Sequence, residues 1–416
     1  MGFLTEGQTQ SKKIPTDTKK CGGACKLNKG CRRPYQLPYG TGEVPILFIG
    51  SSPSKKEDEG EEKMDGLPGK LLKRMAKRMG VAVEKCTKTN AVRCYAPEEL
   101  DNKEIDSCRI FLDELIKAVN PEIIIPMGSA AIRAVVAPEW GDKVGGFPRW
   151  VGYRIPSRRH NAWICPTYHP HWVLEKEDEV LVSIVEHHLE EAFELLGSRP
   201  DMDWEPAKEI TILTDADAVV ERLRHYRTTG GTIAFDYETT GLKPDADHME
   251  IVSNAVCFNG IETIAYMMDD PRVIAETKKL LISDSTGKIA SNMKFEERWS
   301  DVKLQYPVSN WVWDTMLAAH TEDCRREICS IKFQTYIRYG IGDYDSHIHP
   351  YLVAPGSNEV NRIRELSAED LLLYNGLDAL LEYRVAVDQM REMGIPWGSP
   401  EKKGPPKRKN KREARG

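Results

Sequence analysis

The sequence predicts an α/β protein with two domains, and three observations support this prediction. Short apolar segments typical of buried strands, such as residues 44–50 and 121–128 in the first half and 232–236 in the second, alternate with amphipathic helical segments. Residues 197–206 are rich in proline and aspartate and separate the two halves. The length of 416 residues is sufficient for two hydrophobic cores. We expect a parallel sheet in the first domain and a mixed sheet in the second.

The predicted domain boundaries follow changes in composition along the chain. Residues 1–19 and 396–416 are polar and rich in lysine, which predicts a flexible arm and a disordered basic tail able to contact DNA or an acidic partner. The segments between them are predicted to be a first domain at 20–197, a linker at 198–208 and a second domain at 209–395.

Composition excludes some classes of protein. No apolar run approaches the about 18 residues that a membrane span requires, and the first residues lead into polar sequence instead of a signal peptide. The sequence therefore predicts a cytoplasmic protein with no membrane partner. Ten cysteines in such a chain favour metal or cluster ligation over a disulfide framework. The net charge of −6 is a poor guide to nucleic-acid binding, because acidic catalytic residues offset any basic patch.

Two carboxylates meet at the end of the strand predicted at residues 232–239. Side chains alternate between the faces of a strand, so Asp236 and Glu238 point the same way and Tyr237 points the opposite way. Like charges this close raise each other's pKa unless a cation lies between them, and a hard divalent ion with oxygen ligands is the usual partner. For an Asp-x-Glu pair alone, a solvated strand edge is the alternative interpretation.

Two later segments offer further acids at helical spacing. Residues 291–296 predict the start of a helix, with Asn292 and Glu296 four positions apart on one face. Residues 367–370 predict the capped start of another helix, on which Tyr374 and Asp378 share a face. The chain therefore supplies four carboxylates from three separate segments.

Taken in order, the motifs Asp-x-Glu, Asn-x-x-x-Glu and Tyr-x-x-x-Asp resemble those of the DEDDy 3′–5′ exonucleases, the proofreading domain of family A DNA polymerases. Residues 313–318 (WDTMLA) also look like that family. The resemblance implies an RNase H-like mixed sheet and hydrolysis of DNA by two Mg²⁺ or Mn²⁺ ions roughly 3.5–4 Å apart. The family usually has aspartate at the position of Glu296, whose longer side chain still reaches a metal, directly or through water.

The resemblance also assigns a role to each residue of the three motifs. Tyr374 is expected to orient the attacking water, and Asn292 is expected to position a neighbouring group. The residues expected to bind the ions are the carboxylates Asp236, Glu238, Glu296 and Asp378.

The cysteines of the first domain fall into two groups. Three lie within residues 21–31, and the next three lie within residues 86–108. Thiolates bind soft metals and iron–sulfur centres, and a set divided between two such groups fits either a zinc ion or a [4Fe–4S] cluster. The spacing does not choose between them.

Residues 20–197 resemble the family 4 uracil-DNA glycosylases, which are the iron–sulfur members of that superfamily. The resemblance depends on a strand and Gly-x-x-Pro turn from Gly50 to Pro53, on Asn90, on a strand end at Gly128 and on a loop at His169. It implies that Asn90 reads the uracil edge and that His169 supports the departing oxygen. The cluster ligands that it implies are Cys21, Cys25, Cys94 and Cys108, with Cys31 as an alternative to Cys21, because Cys21 and Cys25 are one residue further apart than in the family.

Two departures from that family predict a domain that has lost base excision. Ser51 stands where the family carries an acid or an amide, and serine cannot supply negative charge to a cation-like sugar. Residues 63–66 contain no aromatic side chain to stack on a flipped uracil. We therefore expect the first domain to bind DNA without removing a base.

The order of the two domains resembles the front half of certain bacteriophage DNA polymerases. It implies a 3′–5′ DNA exonuclease that proofreads for a phage replicative polymerase, acting on single strands or primer 3′ ends in the host cytoplasm. After the second domain a family A polymerase continues with its polymerase domain, so the polymerase is expected on a separate subunit. The alternatives are a uracil-repair glycosylase with an accessory nuclease, and a non-enzymatic iron–sulfur scaffold that binds DNA.

Overall fold

The computed structural model describes residues 25–61, 66–141, 144–342, 344–356 and 358–396. The described residues divide into two compact units, one formed by those up to 202 with 336–340 and the other by residues 203–335 with those from 341 onward. The predicted arm, nearly all of the predicted tail, Cys21 and three of the four residues at 63–66 lie outside the described residues. Within the described residues, no helix combines the length and the apolar character that crossing a membrane requires.

The first unit is built on a sheet covered by helices. Its strands are β1 Ile46–Gly50, β2 Thr87–Asn90, β3 Ile123–Pro126, β4 Ile155–Ser157 and β5 Ala162–Ile164. Its helices are α1 Leu27–Gly30, α2 Lys55–Glu59, α3 Leu67–Arg78, α4 Asn102–Val119, α5 Ser129–Trp140, α6 Pro170–Lys176 and α7 Glu179–Phe193.

The sheet of the first unit has the strand order β2-β1-β3-β5-β4. The first four strands of that order are parallel, as the sequence predicts, and β1 is buried along its whole length, which is typical of a central parallel strand. β4 differs from the prediction because it runs antiparallel to β5. The two strands are joined by residues 158–161 only, a connection too short for the crossover that a parallel pair needs.

The second unit is built on a longer sheet. Its strands are β6 Ile210–Ile212, β7 Gly231–Thr239, β8 Ile251–Phe258, β9 Glu262–Met267, β10 Thr286–Ala290 and β11 Trp311–Asp314. The helices that accompany these strands are α8 Ala216–Thr229, α9 Pro271–Leu281, α10 Met293–Trp299, α11 Thr315–Glu322, α13 His349–Leu352 and α14 Ala368–Glu392. Helix α12 Ile331–Tyr339 begins in this unit, and its residues from 336 onward belong to the first unit.

This sheet has the order β11-β10-β7-β8-β9-β6 and confirms the predicted mixed sheet. β8 is antiparallel to both of its neighbours, β7 and β9, whereas β10 and β11 continue parallel to β7 on the other side. β7 is therefore central, and the carboxyl ends of β7, β10 and β11 lie at one edge of the sheet. Loops at that edge are where an α/β sheet commonly places a ligand.

Helix α14 covers one face of the sheet. Ser367 caps it by accepting a hydrogen bond from the Asp370 N–H at 3.1 Å, as the sequence predicts. Small side chains on the strands, including Ala234 and Ala255, pack against Ala379 and other buried residues of the helix. Because alternate residues of a strand share a face, Asp236 and Glu238 follow Ala234 on the side that α14 covers.

Candidate functional site

Three carboxylates from β7 and α14 converge in the second unit. Asp236, Glu238 and Asp378 each present an oxygen atom within 4.8 Å of the others. Glu238 and Asp378 are buried, and Asp236 is half-buried. Among the histidines, cysteines, aspartates and glutamates that the structure describes, this is the only group of three or more gathered so closely. The structure thus brings together three of the four predicted metal-binding residues.

Two buried glutamates stand beside this group. Glu296, in the first turn of α10, is 3 % exposed, and Glu382, one helical turn beyond Asp378 on α14, is 2 % exposed. Glu296 is electrostatically coupled to Asp236, and Glu382 is coupled to Asp236, Glu296 and Asp378. The predicted set omits Glu382. The signal that could have found it is its position four residues after Asp378, on the helical face that also carries Tyr374.

The close packing of these acids changes their protonation. Burial, followed by repulsion from Asp378, raises the pKa of Asp236 well above its ordinary value. Burial and the charges of Asp236 and Asp378 raise the pKa of Glu238 in the same direction. Burial and the charge of Asp236 also raise the pKa values of Glu296 and Glu382. Without a cation between them, these carboxylates resist ionisation, which is the electrostatic condition of a divalent-metal site.

Three residues that the sequence-based prediction did not include act on the tight carboxylate group, two through hydrogen bonds and one through its charge. The Tyr344 hydroxyl donates a hydrogen bond to Asp378, which also accepts one from Tyr374. Asn375 donates to the Asp236 carboxylate at 2.7 Å and to the Asp236 carbonyl at 3.0 Å. The Lys332 ammonium group, on α12, lowers the pKa values of the three clustered carboxylates and lies 5.5 Å from the centre of the Tyr374 ring.

Lys332 and Tyr344 were not predicted because they are far from the acidic motifs in the sequence. Lys332 and Tyr344 come from a helix and a loop with no recognisable motif, and Lys332 forms an ion pair with Asp345. Only folding brings them to Asp378. Asn375 follows Tyr374 directly, so its position beside a predicted motif could have identified it.

The helix carrying Glu296 begins at Met293, so Asn292 stands outside it and not on its face as predicted. Asn292 precedes α10 in a left-handed conformation, with φ at +67°, which asparagine tolerates better than most residues. Its side chain makes no capping hydrogen bond. Instead the buried Asp314 carboxylate accepts hydrogen bonds from the backbone N–H groups of Asn292 at 3.2 Å and Met293 at 3.0 Å, while also capping α11. The expected positioning role of Asn292 stays a prediction.

In the first unit, the residues predicted to form a base pocket come together. A side-chain carbon at Gly50 would lie 2.5 Å from Asn90 Oδ1 and 3.6 Å from His169 Nε2, so only glycine permits this approach. Gly50 pairs with Asn90 across β1 and β2, and Ser51 and Pro53 form the turn that follows β1. The pocket therefore lies at the carboxyl ends of parallel strands.

The protonation of His169 is set by its surroundings. Burial lowers its pKa to about 4, so the ring is neutral at pH 7. Its Nδ1 accepts a hydrogen bond from the His171 N–H at 3.2 Å, so the ring proton is on Nε2, the atom nearest Gly50 and Asn90. His169 can therefore donate a hydrogen bond into the pocket.

Three of the described cysteines of the first unit, namely Cys31, Cys94 and Cys108, interact with one another. Cys31 forms a hydrogen bond with Cys94, and the charge of Cys108 acts on Cys94 as well. The buried Asp58 carboxylate holds the loop that follows α1 by accepting the Arg32 N–H at 2.9 Å. Burial raises the pKa of Cys94 to about 12, so a positively charged group is needed to hold this thiol ionised. Of the predicted ligands, Cys25 is buried and Cys21 lies outside the described residues.

Comparison with known proteins identifies the relatives of the first unit. Residues 37–196 match the family model of the uracil DNA glycosylase superfamily. The type-4 uracil-DNA glycosylase of Thermotoga maritima is 28 % identical over 179 residues, which are 42 % of this chain and 88 % of that enzyme. The predicted resemblance of the first domain to this superfamily is confirmed, over less than half of the chain.

A second relative extends beyond the first unit. The DNA polymerase of Bacillus phage SP01 is 23 % identical over 347 residues, a length greater than either unit. The match covers 74 % of this chain and 36 % of the polymerase, so this chain spans about a third of that enzyme. The predicted resemblance of the domain order to a phage DNA polymerase is confirmed.

A solved structure with a similar fold is RNase D of Escherichia coli, described as an exoribonuclease involved in structured RNA processing. It is 14 % identical over 44 % of this chain and 45 % of its own, with a TM-score of 0.35. A likeness at that score carries no argument about function.

The raised carboxyl pKa values make the stability of the second unit depend on pH when divalent ions are absent. In the unfolded chain these groups titrate near their ordinary values, 3.8 for Asp and 4.5 for Glu. Because their folded pKa values are higher, the stability that they contribute is complete below about pH 4 and is lost as pH rises through the raised values. We expect the melting temperature in EDTA to fall as the pH rises above the ordinary carboxyl range, and added Mg²⁺ to reduce that fall.

The matched comparison for this measurement is Asp378→Asn, which removes one of the repelling charges. Its melting temperature in EDTA should fall less steeply with pH than that of the unchanged protein. Equal slopes for the two proteins would contradict the repulsion on which the prediction depends.

Proposed function

We propose that the second unit is a divalent-metal-dependent 3′–5′ exonuclease that acts on DNA and proofreads for a phage replicative polymerase. The observation that carries the proposal is the convergence of Asp236, Glu238 and Asp378 within 4.8 Å, with their pKa values raised by burial and by one another. The match to a phage DNA polymerase supports the choice of DNA as substrate. The separate polymerase subunit expected from the sequence stays a prediction.

The donor atoms fit magnesium or manganese. All three clustered ligands are carboxylates, and oxygen donors suit Mg²⁺ and Mn²⁺, whereas zinc sites favour histidine and cysteine. One oxygen atom of Glu296 and one of Glu382 are buried without a hydrogen-bond partner, which leaves acceptor capacity for a cation or its water. Asp236, Glu238 and Asp378 would hold the ions, and Glu296 would assist directly or through water.

The chemistry follows from what these side chains can do. When bound, divalent ions lower the pKa of a coordinated water and stabilise charge on the leaving oxygen. Asn375 fixes the Asp236 carboxylate in orientation through its hydrogen bond. Tyr374, linked by its hydroxyl to Asp378, would orient the attacking water. Lys332 adds positive charge close to where phosphate would bind.

Loss of the central carboxylate tests this proposal. Because Asp236 is coupled to the other acids of the site, Asp236→Ala should lower exonuclease activity by about a thousandfold or more, equivalent to about 4 kcal/mol of transition-state stabilisation. The measurement is release of nucleotides from 3′-ended single strands and from matched and mismatched primers, with Mg²⁺, with Mn²⁺ and with EDTA.

The control for this variant is Asp217→Ala on α8, whose carboxylate is exposed and paired with Arg272. It should digest DNA at the rate of the unchanged protein. Digestion that persists in EDTA, or in the Asp236 variant, would remove the basis of the assignment.

For the first unit we propose base binding without base removal. The observation that favours it is the approach of Asn90 and His169 to Gly50. Their polar groups lie at the carboxyl ends of the parallel strands β1 and β2. Ser51 cannot provide the negative charge that stabilises a cation-like sugar. A uracil-repair enzyme remains the alternative, because a positioned water could replace that charge.

An assay on uracil-containing DNA separates binding from excision. In EDTA, which prevents metal-dependent digestion, we expect no abasic sites but measurable binding that weakens about tenfold in Asn90→Ala, since that variant removes the amide facing Gly50. Asn102→Ala, at the exposed start of α4, serves as control and should bind normally. Abasic sites produced by the unchanged protein and lost with Asn90→Ala would establish the repair alternative instead.

We further propose that the cysteines of the first unit hold an iron–sulfur cluster, with Cys31 among its ligands. Four thiolates around one zinc ion, each about 2.3 Å from the metal, would lie closer together than 4.8 Å. The described cysteines form no group that compact, although Cys31, Cys94 and Cys108 interact. A larger cluster fits this arrangement better, with Cys25 or Cys21 completing the set.

Absorption near 400 nm and iron analysis of the anaerobically purified protein test this proposal. Cys31→Ser should lower both signals severalfold, because it removes the thiol next to Cys94. Cys165→Ser, in the hydrophobic core of the same unit, should leave them unchanged. The cluster proposal would be contradicted if the Cys31 variant kept its full absorption and iron. One equivalent of zinc in the unchanged protein would contradict it as well.

A further inference from the structure

A second tyrosine, distant in the sequence from the three acidic motifs, reaches the acids of the second unit. The Tyr344 hydroxyl donates a hydrogen bond to Asp378 Oδ1. The centre of its ring lies 6.1 Å from that of Tyr374, and the two ring planes are inclined by 35°. Asp378 therefore has two tyrosine donors, one on its own helix and one on the segment between α12 and α13. The proposed function gives a role to Tyr374 only.

The polypeptide around Tyr344 is held in place by its neighbours. The Asp345 carboxylate forms an ion pair with Lys332 on α12. The Asp345 carbonyl accepts the Ile348 N–H at 2.9 Å, and the Ile348 side chain is fully buried. A hydroxyl group on a backbone anchored in this way can hold another side chain in a fixed orientation.

The far end of the same segment is joined to β7, the strand that carries Asp236 and Glu238. The Asn361 N–H donates to the Thr240 carbonyl at 2.8 Å, and its side-chain amide donates to the Thr239 carbonyl at 3.0 Å. The segment between α12 and α14 is therefore fixed both to α12 and to the end of the strand from which two of the acids project.

One cation attracts both tyrosine rings. The Lys332 ammonium group lies 5.8 Å from the centre of the Tyr344 ring and 5.5 Å from the centre of the Tyr374 ring. Both distances are within the range of a cation–π interaction. The two rings are therefore held as a pair, with both hydroxyl groups close to Asp378.

Two donors on one carboxylate allow a division of roles. An ionised carboxylate accepts hydrogen bonds at both of its oxygen atoms, and a donor at one of them orients the group towards a cation. The Tyr374 hydroxyl leaves Asp378 when it turns to the attacking water, as its proposed role requires. The Tyr344 hydroxyl comes from a separate anchored segment, so it can keep Asp378 oriented at that moment.

We propose that Tyr344 is a positioning residue of the metal site: its hydroxyl orients Asp378 towards the cation, which leaves the Tyr374 hydroxyl free to orient the water. This inference rests on the proposed nuclease function and adds one residue to it. Because Tyr344 acts through Asp378, it determines the affinity for the divalent ion, whereas Tyr374 determines the rate once the ion is bound.

Manganese binding to the full-length protein, with its cluster intact, provides the test. Tyr344→Phe keeps the ring and removes only the hydroxyl group. Calorimetric titration should show Mn²⁺ binding that is weaker by about tenfold or more, since the loss of a hydrogen bond to a metal ligand commonly has an effect of that size. At saturating Mn²⁺, kcat and KM for digestion of a 3′-ended single strand should return to the values of the unchanged protein.

The comparison variant is Tyr374→Phe, which should show the opposite pattern. Its kcat at saturating Mn²⁺ should fall by about a hundredfold, because the water is no longer oriented, while its Mn²⁺ affinity should stay close to that of the unchanged protein. The matched control is Tyr351→Phe on α13 of the same segment, where the ring centre lies 4.9 Å from the Arg362 guanidinium group. That variant should bind Mn²⁺ and digest DNA normally.

The results that would overturn the inference can be told apart from failure of the nuclease proposal. Unchanged Mn²⁺ affinity in Tyr344→Phe, together with weaker binding in Asp378→Asn, would exclude Tyr344 and leave the nuclease proposal standing. A loss of activity in Tyr344→Phe that saturating Mn²⁺ does not restore, with a lower melting temperature in EDTA, would show a structural role and also overturn the inference. Absence of Mn²⁺ binding in the unchanged protein would remove both proposals.

Discussion

Electrostatic repulsion around Asp236 is the constraint on which the second unit depends. Five carboxylates from β7, α10 and α14 lie near one another, and the positive charge of Lys332 is shared with Asp345. Burial of such a group is unfavourable unless cations neutralise it. Since the packing of β7 against α14 fixes the acids where they are, the fold maintains a site whose negative charges need cations or protons to balance them.

Close packing and backbone hydrogen bonds fix the positions of the elements that carry these acids. Alanines on the strands let α14 lie close to the sheet, and Gly376 passes so near Ile210 that a side-chain carbon there would lie 2.5 Å from it. Asp314 joins the start of α10 to the start of α11 through backbone hydrogen bonds. Rigid elements of this kind hold charged groups against their mutual repulsion better than loops do.

The first unit also gathers side chains at the carboxyl ends of parallel strands, but their chemistry is different. Neutral polar groups, Asn90 and His169, meet at Gly50 where the second unit places charges. The cysteine loop is held by Asp58 and by the Arg93 side chain, which donates to the carbonyls of Tyr35 and Gln36. The polar groups of the proposed base pocket and the acids of the proposed metal site therefore lie on two separate sheets of one chain.

The sequence by itself determined the α/β class, the mixed sheet of the second unit, the capped start of α14 and the motifs that contain Asp236, Glu238 and Asp378. These follow from short-range rules: alternation along a strand, four-residue spacing along a helix and capping chemistry. Only the tertiary structure decided that β4 runs antiparallel, that Asn292 stands outside its helix, and that Lys332 and Tyr344 join the acids. Those facts depend on which distant segments pack together, and a single sequence does not encode that proximity in any local pattern.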